Sequence, residues 1–301
     1  MQHSAFSPAH ITGIFQIHDG YQNPLLSGSK GAGFSIARGV ITKVKVEASN
    51  KPEYQIRING KPTQSAFVSI RVLKAFTAMV DRDVFITVEH DVDVPIGSGF
   101  GSSGAAALSL ALALNEALGT GLSRMKAAQI AHIAEVECRT GLGTVIAEEA
   151  GGLEVRLKPG APGLGEVVNI PVHGSDLAVC LHLGPISTRG LLSRPRFKER
   201  VNRSADDLLI QLTLQPSVER FLEASRRFAD NLGIITPRVR RVLNETDREG
   251  YLCSMAMLGE TVYTIARRDE AEALVEIFRR YASFKDDVIV EDIDRDGAKL
   301  L

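Results

Sequence analysis

Gly97, Gly99, Gly101 and Gly104, interleaved with Ser98, Ser102 and Ser103, lie in the stretch VPIGSGFGSSGAAALSLALALNEALG (Val94 to Gly119), directly before an almost wholly apolar run. Glycine lets a backbone adopt positive φ and approach a ligand closely. A helix start adds free N–H groups and about half a positive charge. The combination predicts a cradle for a phosphate chain, with Ser102 and Ser103 placed to cap the helix. The helix after the loop, AAALSLALALNEAL, has no polar face before Asn115 and Glu116. It is expected to be buried and to hold the loop rigidly, as a preorganised anion site requires.

Two familiar phosphate loops do not account for this segment. Gly99 to Gly104 satisfies G-x-G-x-x-G, but the acidic residue that a dinucleotide site places about 20 positions later is absent. A Walker loop needs Gly-Lys-Ser/Thr, and no lysine occurs between Glu89 and Arg124.

The elements that must position such a loop can be read on either side of it. Alternation in Ser35 to Val46 and in Tyr54 to Ile58, the latter followed by Asn59-Gly60, predicts strands with a hairpin turn. Phe67, Ile70, Leu73, Phe76 and Met79 recur at helical spacing, which predicts a helix over roughly Thr63 to Val80. Val84 to Glu89 reads as a strand, and a second helix runs from Ser123, its N-cap, to Cys138, before the glycine-rich TGLGT of Thr140 to Thr144. Further strands are expected at Leu153 to Leu157, Glu166 to Val172 and Leu177 to Leu183. Helices dominate Leu191 to Asn244, followed by a strand, a helix and a strand at Thr261 to Ala266, Ala271 to Tyr281 and Val288 to Glu291. A composition shift near Val172 to Ser175 divides the chain into residues 1–172 and 173–301, both α+β.

Composition narrows the partners. In 301 residues, 35 Lys+Arg face 36 Asp+Glu, so a net charge of −1 gives no general attraction to nucleic acid or to an anionic membrane. The basic run from Arg189 to Arg203 contains Leu and Phe and reads as a solvated helix face, so no nucleic-acid partner is expected. No segment has the roughly 20 apolar residues of a membrane span, and the N-terminus has no secretory pattern, so a soluble protein is expected. Cys138, Cys180 and Cys253 form no CxxC or CxH pattern, which points to a reduced, cytoplasmic setting without zinc.

The segment Pro95-Ile96-Gly97-Ser98-Gly99-Phe100-Gly101-Ser102-Ser103-Gly104-Ala105 resembles the central motif P-x-x-x-G-L-G-S-S-A-A of the GHMP kinase superfamily, with Phe100 for the usual Leu and Gly104 for the first Ala. SPAHITGIFQI (Ser7 to Ile17), GSKGAG (Gly28 to Gly33), AEVECRTGLGTVIAEEAGG (Ala134 to Gly152), GPISTRG (Gly184 to Gly190) and SMAMLGETVY (Ser254 to Tyr263) resemble one branch of it, the archaeal pantoate kinases of coenzyme A biosynthesis. The resemblance implies a ribosomal-protein-S5-like N-terminal domain and a ferredoxin-like C-terminal domain, with the phosphates of ATP over Gly97 to Ala105. It also implies magnesium-dependent transfer of the γ-phosphoryl group to the 4-hydroxyl of (R)-pantoate.

The same resemblance distributes roles. Glu135 and Ser103 are the expected magnesium ligands, oxygen donors that suit a hard cation. His132, one helical turn before Glu135, is a candidate donor to the acceptor. Arg156 and Arg189 are candidate carboxylate clamps. His10, Ser29 and Lys30 fall in the motif that lines the acceptor side, and Met257 to Thr261 falls in the third motif, whose glycine approaches the phosphate loop. Thr144 stands where this branch usually carries the aspartate that orients or deprotonates the acceptor hydroxyl. Threonine is no base near neutral pH, so impaired turnover is expected unless a neighbour such as Glu148 or Glu149 substitutes. Open alternatives are a kinase of another small hydroxy acid (homoserine, shikimate or mevalonate), a non-catalytic binding protein, and a related enzyme that uses phosphoribosyl pyrophosphate. A homodimer is left open.

Overall fold

The computed structural model describes residues 2–185, 195–257, 259–284 and 286–301. The chain runs β1 (Gln2–Phe15), β2 (Gly31–Ala48), β3 (Glu53–Ile58), β4 (Lys61–Pro62), α1 (Phe67–Thr77), β5 (Val84–Val92), α2 (Ser102–Leu118), α3 (Arg124–Cys138), α4 (Thr144–Ala150), β6 (Leu153–Lys158) and β7 (Glu166–Ile170). It continues through β8 (Asp176–Pro185), α5 (Pro195–Leu214), α6 (Val218–Leu232), α7 (Pro237–Arg248), β9 (Ser254–Met255), β10 (Gly259–Arg267), α8 (Arg268–Tyr281), β11 (Asp287–Asp292) and β12 (Lys299–Leu300).

Among the described residues the strands form two sheets. The larger has the order β12-β1-β2-β5-β3-β4, with β6 and then β7 joined to the first part of β2. The smaller has the order β11-β8-β10-β9 and is antiparallel. β2 serves two neighbours because it is long: Gly31 to Phe34 pair with β6, and Val40 to Ala48 pair with β5. The Asn59-Gly60 turn forms as its residue types require, with φ of 48° and 75°. The last strand, β12, returns to pair with β1 of the larger sheet.

Several elements depart from expectation, among them α4, a short helix over Thr144–Ala150 where no helix is anticipated. α1 is shorter than the apolar spacing suggests, because the Thr63 amide donates to the Ile56 carbonyl and Thr63 Oγ1 accepts from the Ser65 amide, which holds this segment outside the helix. β1 is long and central, yet its pattern is hidden: Ser7 and His10 are buried polar residues within it and break the alternation on which strand recognition depends.

The site is held by the burial of α2, as its composition requires. Leu108, Leu110, Ala111, Ala113 and Leu114 have at most 0 % exposure and pack with α1 and α3 residues in one core cluster. A buried polar chain adds direction to this packing. Thr42 on β2 meets His90 Nδ1 on β5 at 2.8 Å and Ser109 Oγ on α2 at 2.6 Å, and Ser69 on α1 meets His90 Nε2 at 3.0 Å. Burial pushes the His90 imidazole down to about 4, so it is neutral in the folded protein at neutral pH. A second cluster joins Ile11, Phe34 and Val155 to Leu209, Phe221 and Phe228 of α5 and α6 and to Tyr263 of β10. The basic run at the start of α5 is drawn into local pairs, Lys198 with Asp19 and Arg203 with Glu199.

Candidate active site

The loop before α2 leaves its helix start open. Gly101, with φ of 66°, is the N-cap, and no side chain caps the helix. This corrects the expectation for the serines: Ser103 Oγ donates to Glu135 Oε1 at 2.5 Å instead of capping. The uncapped start leaves first-turn amides for an anion. Phe100 is buried in the core and its carbonyl accepts from the His10 amide at 3.0 Å, which ties the loop to β1.

The smaller sheet clamps the loop from the other side. A Cβ at Gly259, the first residue of β10, would lie 2.0 Å from the Ser98 carbonyl oxygen, so only glycine permits this approach. Thr261 Oγ1 donates to the same carbonyl at 2.9 Å, and His182 Nε2 lies 3.4 Å from Ser98 Oγ. The sequence marked this glycine, but not His182 on β8.

Glu135 is 2 % exposed and accepts from Ser103 and, at 2.6 Å, from Thr140 Oγ1. Burial raises its pKa and the two hydroxyls oppose that rise. A buried carboxylate beside a loop hydroxyl is an oxygen donor set for a hard divalent cation, which keeps water and phosphate oxygens as its other ligands. Glu135 and Ser103 thus fit the magnesium role expected of them.

A second buried group lies across the sheet. His10 Nε2 meets Glu154 Oε1 at 2.8 Å, and Arg156 Nη1 donates to the same oxygen. Both carboxylate and guanidinium are essentially sealed from solvent. Burial pushes the His10 imidazole down, against the pull of Glu154. Arg156 Nε has no partner, and a Cβ at Gly143 would lie 3.0 Å from it and 2.8 Å from Ser29 Cβ. Arg156, Ser29 and the start of α4 therefore converge. Glu154 was missed in the sequence; its signal was the i, i+2 spacing to Arg156, which puts both on one face of β6.

The remaining candidates separate. His132 is 1 % exposed, and its Nε2 lies 3.0 Å from the Ser27 carbonyl and 3.2 Å from that of Pro24. That nitrogen holds the loop before Ser29. Lys30 lines an open groove of about 290 Å³ with Gln16, Arg156, Asp206 and Leu209, on the side of α5. Arg189 lies outside the described residues.

The profile of the GHMP kinases N terminal domain matches residues 68–152 and that of the GHMP kinases C terminal matches residues 209–283. The pantoate kinase of Thermococcus kodakarensis is 35% identical over 272 residues, 89% of either chain. The chain belongs to the GHMP kinases, in the pantoate kinase family. The pantoate kinase of Methanocaldococcus jannaschii is 33% identical over 276 residues, 91% of this GHMP kinase and 96% of the relative. Among solved structures, a phosphotransferase related to the CoA biosynthesis pathway superposes with a TM-score of 0.90 at 30% identity, covering 100% of this chain and 98% of the other. A homoserine kinase from Cytophaga hutchinsonii superposes at 0.72 with 18% identity, covering 100% and 97%, and shares the fold. The α+β, two-part GHMP kinase fold is thus the fold of this chain.

In this GHMP kinase, Thr144 is the first residue of α4 and partly exposed, and its side chain packs under the glycine loop. A Cβ at Gly101 would lie 2.7 Å from Thr144 Cγ2, and one at Gly104 would lie 3.0 Å from Thr144 Cβ.

Proposed function

We infer that the protein is an ATP-dependent kinase that phosphorylates the 4-hydroxyl of (R)-pantoate, a step of coenzyme A biosynthesis. The observation that carries this reading is the likeness to curated pantoate kinases over about nine-tenths of the chain. The start of α2 supports the phosphate site, since its N-cap, Gly101, has no side chain to occupy the first-turn amides. In this reading the triphosphate lies over Gly97 to Ala105 and residues 1–172 form the nucleotide-binding domain. Residues 173–301 form the second domain, whose β10 closes on Ser98. Ser103 and Glu135 hold magnesium, which would neutralise charge on the transferring phosphoryl group. Arg156 and Ser29 receive the acceptor carboxylate, and the unpartnered Nε of Arg156 supports that assignment. His10 acts through Glu154, and His132 through the loop that carries Ser29.

No helix among the described residues is long and apolar enough to cross a membrane. The three cysteines are unpaired, which supports a reduced, cytoplasmic location.

The test is ADP release from ATP with pantoate, homoserine, shikimate and mevalonate offered in turn, with magnesium present or withdrawn. Magnesium-dependent turnover is expected with pantoate first. Faster turnover of another acceptor would assign the site to that acceptor, and tight ATP binding with no ADP from any of them would make the protein a binding homologue.

A further inference from the structure

Among the described residues, Glu148 and Glu154 carry buried carboxylate oxygens without a side-chain partner, and Glu148, which meets the Ala105 amide of α2, lacks one on both oxygens. It is 0 % exposed. A carboxyl so placed is unfavourable for folding, and side chains that serve only packing do not need one. Its position is specific. A Cβ at Gly101 would lie 2.8 Å from Glu148 Oε1, and a Cβ at Gly104 would lie 2.8 Å from Oε2. Those same two glycines abut the side chain of Thr144. Helical side chains lean toward the N-terminus of their helix, so a carboxyl four residues after Thr144 overlies the turn that Thr144 begins. Glu149, the other neighbour considered from sequence, is engaged at the surface, where Arg124 Nε donates to it at 3.1 Å.

We propose that Glu148 supplies, one helical turn further along α4, the carboxylate that Thr144 lacks, and accepts the proton of the acceptor hydroxyl during phosphoryl transfer. This rests on the kinase reading above. The step balances with ATP and the acceptor alone. The acceptor O–H bond breaks and its oxygen bonds to the γ-phosphorus. The bond from that phosphorus to the β,γ-bridging oxygen breaks, and ADP leaves with its electrons. The proton rests on Glu148 until solvent removes it. Burial, and then the charge of Glu135, hold the Glu148 carboxyl well above the ordinary carboxylate range, against a hydrogen bond from the Ala105 amide, so the group must release its own proton before it can take one from the acceptor.

The experiment compares the natural chain with Glu148→Gln, Thr144→Asp and the double variant, measuring ADP release with ATP and pantoate beside calorimetric ATP affinity and thermal unfolding. Glu148→Gln is expected to lower kcat by about 10²- to 10⁴-fold while ATP affinity stays within about threefold, the pattern of a lost base. Thr144→Asp alone is expected to stay within about tenfold of the natural chain, and the double variant to recover to about that level, because the carboxylate is restored at the neighbouring turn. Equal rates for Glu148→Gln and the natural chain would overturn the proposal. So would a double variant as slow as Glu148→Gln, which would mark the carboxyl as structural. A natural chain that is inert while Thr144→Asp is active would keep pantoate as acceptor and remove Glu148 from the chemistry. If pantoate fails with both, the acceptor reading falls, and the same four proteins are compared on whichever acceptor of the panel turns over.

Discussion

Arg156 shows how a single side chain depends on partners far away in sequence. Its Nη1 donates to Glu154, whose oxygen also meets His10, while its Nε stays unpartnered beside Gly143. Arg156→Ala would leave Glu154 buried without its cation, a change that costs about 3–5 kcal/mol and is read as a lower unfolding midpoint. Arg156→Lys keeps the charge but loses the planar fork that matches a carboxylate. Its expected signature is a KM for pantoate raised by about tenfold or more, the worth of roughly one charge-assisted hydrogen bond, with the KM for ATP little changed. An unchanged pantoate KM would remove Arg156 from the acceptor site. Glu135 was legible in the sequence because it stands on an apolar helix at a familiar distance from the TGLGT segment. Glu154 was not, because a strand glutamate is ordinarily solvated, and its i, i+2 spacing to Arg156 gives a shared face but not its burial.

At the scale of elements, α2 must be held still for its open N-terminus to serve a phosphate. The His90 chain does part of this, joining α1, β2, β5 and α2. Because the folded-state pKa of His90 is lowered to about 4, the unfolded chain binds the extra proton first on acidification. The stabilisation from neutral His90 is complete above about pH 6.5, the ordinary histidine value, and is lost as pH falls from there to about 4, in all roughly 3 kcal/mol. His90→Gln cannot take up this proton, so its stability should fall less between pH 6.5 and 4 in urea titrations; parallel curves for the two proteins would refute the assignment. α2 and α3 were legible because composition, period and caps are local signals: Ser123 caps α3 through the Lys126 amide, as its residue type suggests. β1 was illegible because its inward polar residues serve the site and erase the alternation.

For the whole molecule, the decisive contact is between the two sheets. Gly259 and Thr261 of β10 close on the Ser98 carbonyl, so the nucleotide loop is shaped by residues more than 150 positions later in the chain. Gly259→Ala would place a methyl group against backbone, which has little room to yield, at a cost of about 1–3 kcal/mol. Because the strain falls on the loop, ATP binding should weaken about tenfold or more by calorimetry, with the fold retained by circular dichroism. Unchanged affinity would show that the second sheet does not shape the cradle.

By itself, the sequence determined the glycine cradle, the buried helix behind it, the order of most helices and strands, and the family. These are written in residue type and short-range period, which act over one or two turns of chain. Tertiary structure decided which groups share the site. It left Ser103 bonded to Glu135 with no part in capping the helix, paired His10 with Glu154, and separated Glu148 from Glu149, sealing one under the loop and leaving the other to Arg124. The reason is that burial and partnership depend on the packing of distant segments, and two adjacent glutamates carry no local signal of which will face the core.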